Sequence, residues 1–444
     1  MLLPSPCLLF SSIFVSGLII TGDWGGSLKV SSSSSLPLEI HVNDSTKEIT
    51  FDSPSQGAFG IPCETLVLTD DSISFKIPQI GLSYCGKLKS DEINGVFKQG
   101  FMSLPLVFQV KEGNIKRPQT PSDSVSYSCR DVEIQNPAGG VLSGTLTMPA
   151  DVDKDTPIVI LLTGSGLQNR DEELYGHKPF AVISDYLARN GIASFRYDDR
   201  GFGKSSGDSS RSTTLDFAED ALTVLKWIKD NCQFEKIGII GHSEGGLISY
   251  ILANAENHPD FIVSIAGPAI DGFSIIKSQV LNRLSVLNTL SESELAAFSK
   301  AMDNVGEFRK INNRTITDEV IKELYPDADN SAVTLQLKEV IRTYAGKNEN
   351  VWLEYFLNYD PANDLEKIKI PAFLIYGEKD TQVPGKLNSE VAQQYLKNAT
   401  VRLYPSLNHL MQHAQTGLVE EYYSIEETFA EEVLKDIVDF IKTL

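Results

Sequence analysis

Positive charge is in short supply. The 444 residues carry 39 Lys and Arg against 59 Asp and Glu, a formal net charge of −20 at pH 7. Nucleic-acid binding wants a basic face, so that class is excluded, and so is a surface that seeks anionic lipid. An acidic surface aids solubility and implies nothing more. Cysteine is scarce too. Of the five, Cys7 lies near the start, Cys63 and Cys85 in one region, and Cys129 and Cys232 in another. That is no disulfide scaffold, and without a Cys-x-x-Cys no zinc or other metal is expected. Cys63 and Cys85 leave two readings open, a disulfide formed in an oxidising compartment or buried free thiols. Beyond Ile20 no apolar run is long enough to span a bilayer, so stable membrane insertion is not expected.

The composition that remains, 41% hydrophobic and 22% charged, is that of a soluble globular protein with a sizeable core. The length suggests two or three domains. Met1 to Ile20 is apolar and resembles a secretory signal peptide, with Val15 and Gly17 as small residues for a cleavage site. No Lys or Arg precedes Lys29, so the usual basic start is missing, and Pro4 and Pro6 oppose a long membrane helix. The expectation is export, to the periplasm or outside the cell. An uncleaved anchor or a misassigned start codon is the alternative.

From residue 21 to about 110 apolar residues alternate: Leu36, Leu38, Ile40 and Val42; Ile49 and Phe51; Ile73, Phe75 and Ile77; Leu104, Leu106, Phe108 and Val110. Turn signals at Ser31 to Ser35, Asn43-Asp44-Ser45, Asp70-Asp71 and Asn94-Gly95 separate them. Period two with regular turns predicts a small antiparallel all-β domain, a barrel or sandwich. His41 stands alone in it and reads as a surface residue. Residues 111–126 are polar, carry Pro118 and Pro121, and read as a linker. Residues 127–444 change period. After two leading strands, at Val132 to Ile134 and Leu142 to Met148, short fully apolar strands alternate with amphipathic helices. These strands are Ile158 to Leu162, Ile192 to Phe195, Lys236 to Ile240, Phe261 to Ile265, Ala372 to Tyr376 and Val401 to Tyr404. This predicts a parallel sheet covered on both faces. From about 270 to 350 the alternation stops and helical, charge-rich segments form an inserted cap.

Gly241-His242-Ser243-Glu244-Gly245 follows one of these strands and opens a helix. Strand, Gly-x-Ser-x-Gly and helix together predict a nucleophile elbow, with Ser243 exposed on a tight turn at a helix N-terminus. A serine hydroxyl needs a base to take its proton, and the base needs a carboxylate to orient it. On such a sheet the order is Ser, acid, His. Of six histidines only His409 and His413 follow both the elbow and a further strand with a suitable acid. His409, just after a strand, is favoured. Asp380 is favoured over Glu378 as the acid, because Glu378 adjoins Lys379 and reads as solvated. The oxyanion needs two backbone donors. The Glu244 N–H is one; the Ser165 N–H, in Thr163-Gly164-Ser165-Gly166, is the other, with Gly166 as its alternate. No Gly-Lys-Ser/Thr follows that Gly-rich loop, so it is not a nucleotide loop, and no cofactor is called for.

Several stretches make the sequence recognisable. They include Gly164-Ser165-Gly166 with Gln168-x-Arg170-Asp171-Glu172, Gly176-His177-Lys178-Pro179-Phe180, and Arg196-Tyr197-Asp198-Asp199-Arg200-Gly201. With Gly377-Glu378-x-Asp380, Leu407-Asn408-His409-Leu410, and Gly22-Asp23-Trp24 and Asp52-Ser53-Pro54 at the front, the chain resembles bacterial α/β-hydrolase esterases of the EstD-like type. The resemblance implies the α/β-hydrolase fold behind a β-rich domain, a Ser243–Asp380–His409 triad and hydrolysis of small-molecule carboxylic esters. The cap matches nothing in it, which leaves the natural substrate open, and oligomeric state is not readable. Asp198, Asp199 and Arg200 read as a satisfied ion-pair turn and His177 as packing, while Arg170 and Glu172 are candidates to meet substrate. A second reading is a serine peptidase or aminopeptidase of prolyl-oligopeptidase-like type, with Glu172 or Glu244 anchoring a substrate amine. A third, a binding protein with an inert hydrolase, is opposed by the intact triad candidates.

Overall fold

The computed structural model describes residues 20–30, 35–43, 46–89, 92–111, 116–122, 124–287, 290–311, 316–328, 332–397 and 399–444. The expected leader, apart from Ile20, lies outside the described residues, as do parts of the turns at 31–35 and 43–45. No described helix is long and apolar enough to cross a membrane. Contacts divide the chain into two compact units that part between residues 114 and 115.

The first unit is one antiparallel sheet. Its strands are β1 (Gly22–Lys29), β2 (Ser35–Val42), β3 (Ile49–Ser53), β4 (Ala58–Pro62), β5 (Glu64–Leu68), β6 (Ser72–Ile77), β7 (Leu82–Lys89), β8 (Glu92–Gln99) and β9 (Met102–Val110). They lie in the order β4-β3-β2-β1-β9-β8-β7-β6-β5. β3 and β6 are near opposite ends of that order, yet the rings of Phe51 and Phe75 are 6.3 Å apart. The sheet therefore curls on itself, and its alternating apolar residues fill the interior as one cluster. Asn94-Gly95 proves not to be a turn, since it lies inside β8. A Cβ on Gly95 would stand 2.4 Å from the Tyr84 ring, so glycine is there to admit that ring. His41 proves not to stand alone. Its Nδ1 meets Asp23 at 2.7 Å and its Nε2 meets Asp52 at 2.9 Å. Those hydrogen bonds, Asp52 first, outweigh partial burial and lift its pKa to about 9. Cys63 and Cys85 are free thiols, Cys85 exposed and Cys63 half-buried.

The second unit begins with β10 (Ser128–Gln135) and β11 (Val141–Met148). Then come β12 (Ile158–Leu162), α1 (Pro179–Arg189), β13 (Ala193–Tyr197), α2 (Thr214–Asn231), β14 (Ile237–His242), α3 (Glu244–Ala253) and β15 (Phe261–Ile265). After five further helices come α9 (Ala362–Leu365), β16 (Ala372–Gly377), α10 (Gly385–Tyr395), β17 (Thr400–Tyr404), α11 (Val419–Tyr422) and α12 (Glu431–Thr443). The sheet order is β10-β11-β13-β12-β14-β15-β16-β17, with β12 to β17 parallel. Along β12, Ile158, Ile160 and Leu162 enter the core under α2, α3 and α10, while Val159 and Leu161 enter the core under α1 and α12. Both faces are covered, as a continuous apolar strand requires.

The inserted helices are α4 (Gly272–Leu287), α5 (Glu292–Ile311), α6 (Asp318–Leu324), α7 (Ala332–Ala345) and α8 (Val351–Asn358). They share a core around Phe298, Met302, Val305 and Ile341, and the helical run extends past residue 350 through α8. A smaller cluster, Leu247, Ile275, Phe356 and Val383, joins this cap to α3 and to the loop after β16. The polar stretch before β10 is built into this unit from residue 116. Arg117 donates to the carbonyls of Tyr175, Gly176, Tyr423 and Ile425.

Candidate active site

The turn from β14 to α3 is sterically closed. A Cβ on Gly241 would stand 2.0 Å from the Gly245 carbonyl oxygen, and one on Gly245 would stand 2.1 Å from that of Leu162. Between them Ser243 adopts φ 53° and ψ −115°, a conformation outside the ordinary regions that such an elbow stores as strain. The Ser243 N–H is committed to the Ile265 carbonyl at 2.8 Å. Its side chain starts at a helix N-terminus, where free N–H groups favour negative charge.

Asp380 follows β16 with its side chain fully buried. Its Oδ1 accepts the Gln382 and Val383 N–H groups at 2.8 Å each. Its Oδ2 meets His409 Nδ1 at 2.7 Å. A carboxylate there keeps the proton on Nδ1 and leaves the Nε2 lone pair for base work. The loop that carries His409 is shaped by Asn408, whose Oδ1 accepts the Leu410 and Gln412 N–H groups at 3.0 Å each. Glu378 is exposed. His413 is exposed too and pairs with Glu427 and Glu432. The fold thus joins Asp380 to His409 and leaves Glu378 and His413 outside. The His409 ring lies beside that of His242, the residue before Ser243, with centroids 4.8 Å apart. Among the described residues the His409 side chain hydrogen-bonds Asp380 alone, and the Ser243 hydroxyl stands outside bonding geometry. Such contacts commonly tighten only with substrate bound.

The loop after β12 faces the same point. A Cβ on Gly164 would lie 3.3 Å from Ser243 Cβ and 3.5 Å from Gln168 Nε2. The Gly164 N–H is taken by Glu172 Oε1 at 2.8 Å. The N–H groups of Ser165, Gly166 and Glu244 have no acceptor among the described residues, so both loop candidates stay available as oxyanion donors.

The profile of the alpha/beta hydrolase fold matches residues 157–414, more than half of the chain. This chain belongs to the alpha/beta hydrolase family. Among its relatives, esterase EstD of Thermotoga maritima is 26% identical over 295 residues, 65% of this chain and 61% of that protein. The match therefore spans less than two thirds of that curated relative. Proline iminopeptidase of Lactobacillus delbrueckii subsp. bulgaricus is 22% identical over 260 residues, 57% of this chain and 83% of that protein. Among solved structures, a Pyrococcus furiosus esterase aligns with a TM-score of 0.44 and 19% identity over 75% of this chain and 99% of its own.

The surroundings of this hydrolase's elbow are polar and largely satisfied. Arg170 is bound to Asp198 through Nε at 3.0 Å and NH2 at 2.9 Å, and to Ser143 and Thr145 besides, so it is spent on structure rather than offered to substrate. Arg200 pairs with Asp220 at 2.6 Å. The expected ion-pair turn is thus satisfied by partners outside the turn. Asp199 accepts the Thr163 hydroxyl and the Gln168 N–H. Burial, with the charges of Glu244 and Glu172 nearby, pushes its pKa up to about 7. His177 is buried between Thr428 and the Tyr422 carbonyl, and burial brings it down to about 4. Glu244 Oε1 accepts from Thr214 at 2.6 Å and from the Trp352 indole of α8 at 2.7 Å, and burial raises its pKa.

Three contributors went unread in the sequence. His242 occupies the free position of the Gly-x-Ser-x-Gly pattern. Trp352 lies just past the expected end of the cap. Gln168 has a buried Oε1 without a partner among the described residues. Gln168 and His242 carried a signal, their places in stretches that resemble the esterases; Trp352 carried none. Beside the loop a cavity of about 410 Å³ is lined by Leu167, Phe217, Val351, Trp352 and three serines, a size suited to a small ligand. For a cation, Glu39, His41 and Asp52 of the first unit place donor atoms within 4.8 Å of one another. Both His41 nitrogens already meet carboxylates, and Lys111 pairs with Glu39.

Proposed function

We propose that the chain is a serine carboxylesterase that hydrolyses small or short-acyl carboxylic esters through an acyl-enzyme. One observation carries the reading: a buried Asp380–His409 pair, 2.7 Å apart, lies against His242, the residue before the strained Ser243. Ser243 Oγ attacks the ester carbonyl while His409 Nε2 takes its proton. The tetrahedral oxyanion is held by the Glu244 N–H and by Ser165 or Gly166. His409 then protonates the departing alkoxide, and water repeats the sequence to free the acid. The esterase named among the relatives supports this choice of substrate class. An aminopeptidase is the second reading, supported by the proline iminopeptidase likeness. Neither carboxylate suggested as its anchor is free, because Glu172 is held by Gly164 and His242, and Glu244 by Thr214 and Trp352.

p-Nitrophenyl acetate and butyrate should be turned over, aminoacyl-p-nitroanilides should not, and Ser243→Ala should reduce ester turnover to background. Full turnover by the alanine variant would remove the reading, and faster anilide than ester cleavage would favour the peptidase. Export to the periplasm or beyond rests on the apolar leader alone. Cell fractionation tests it, and a cytosolic product would end it.

A further inference from the structure

A buried ion pair lies among the three catalytic loops and takes no part in the steps above. Glu172 follows the loop after β12, has φ 52°, and is 1% exposed. Its Oε1 accepts the Gly164 N–H and faces His242 Nδ1, each at 2.8 Å. On the far side of the ring, His242 Nε2 stands 2.9 Å from the His409 carbonyl oxygen. A carbonyl only accepts, so Nε2 carries a proton, and a carboxylate at Nδ1 calls for one there as well. His242 is then an imidazolium. Burial opposes that charge; Glu172, the His409 carbonyl and Asp380 outweigh it and hold the ring above its ordinary pKa. The other titratable groups in the neighbourhood are the His409 ring and, beside Glu172, Asp199.

We infer that Glu172 and His242 are positioning residues that clamp the oxyanion loop, the nucleophile elbow and the base loop to one another. The inference rests on the esterase reading above. Each contact sets something that reading needs. Glu172 fixes the Gly164 peptide, which orients the Ser165 and Gly166 N–H groups that follow. His242 adjoins Ser243 in the chain. Its hold on the His409 carbonyl fixes the backbone of the base, while Asp380 fixes the ring. Two anchors leave the imidazole little freedom to swing from the hydroxyl, and misplacement by about 1 Å can cost 10²-fold in rate.

The test uses the full chain. Glu172→Gln keeps the shape and an acceptor for Gly164 but removes the charge. Its kcat on p-nitrophenyl acetate should fall about 10²-fold with KM little changed. Its pH–kcat profile should gain an ionisation at or below about pH 6.5, because His242 then loses its proton in the working range. His242→Gln should lower kcat similarly, and the double variant should lose no more than either single one. A kcat within twofold of wild type, or an unaltered pH profile, would overturn the clamp. Should the variants not fold, ring ¹⁵N shifts of His242 in the wild type decide. Two protonated nitrogens at pH 7 are expected, and a neutral ring overturns the inference. Labelling of Ser243 by a fluorophosphonate tests the esterase reading separately, since it needs only the nucleophile.

Discussion

Asp380 gives both carboxylate oxygens to fixed donors, two backbone N–H groups on one and the His409 ring on the other. An amide in its place would hold the imidazole in the wrong tautomer, with Nε2 protonated and useless as a base. Asp380→Asn is accordingly expected to lower kcat on p-nitrophenyl esters by about 10⁴-fold, and a loss under tenfold would contradict the assigned acid. Asp199 behaves differently. A carboxyl whose folded pKa stands above its unfolded value loses stability as pH rises between the two. For Asp199 that window runs from about 4 to about 7. Asparagine keeps an acceptor for Thr163 and Gln168 without ionising. Asp199→Asn should therefore melt higher than wild type at pH 8 and equally at pH 4, as calorimetry at the two values would show. Equal melting at pH 8 would mean that Asp199 ionises there without cost. At this scale the pairing of Asp380 with His409 was legible because chain order and residue type narrow the choice. The companions of Ser243 were not. His242 and Glu172 are 70 residues apart and meet only in the fold.

Among the elements, the elbow is the one whose local sequence dictates its shape. A methyl on Gly245 would meet the Leu162 carbonyl oxygen, a backbone atom of β12 that has nowhere to go. Gly245→Ala should consequently prevent α3 from docking on the sheet. Loss of soluble protein, or a melting temperature many degrees lower, is the expected result, and a variant that folds and works normally would contradict it. Strand β8 shows the opposite relation. Asn94-Gly95 has the composition of a hairpin turn, yet the Tyr84 ring across β7 and β8 decides that glycine belongs mid-strand. The polar stretch around Arg117 likewise looks like spacer until the carbonyls it caps are brought near. The cap was visible as a break in the β/α alternation. Its last helix was not, because Trp352 and Phe356 earn their places by packing on Glu244 and Leu247.

Across the whole molecule, two units with separate cores carry separate electrostatics. In the first, His41 sits between Asp23 and Asp52 with its pKa lifted to about 9. A base raised in this way stabilises fully below its unfolded value of about 6.5, and the benefit fades as pH climbs through the folded value. The full-length protein should therefore lose stability of its β unit between about pH 6.5 and 9, and His41→Gln should abolish that dependence. A variant that melts with the wild-type pH profile would contradict the assignment. The sequence by itself determined the two-part plan, the covered parallel sheet, the tight turn at Ser243 and the pairing of Asp380 with His409. Each of these is written in period, turn sterics or chain order, which act over a few neighbouring residues. Only the tertiary structure decided which charges meet: Arg170 with Asp198, His41 with two aspartates, Glu172 with His242. Such partners are chosen by the folding together of distant segments, and no local pattern records which buried charge a given side chain will find.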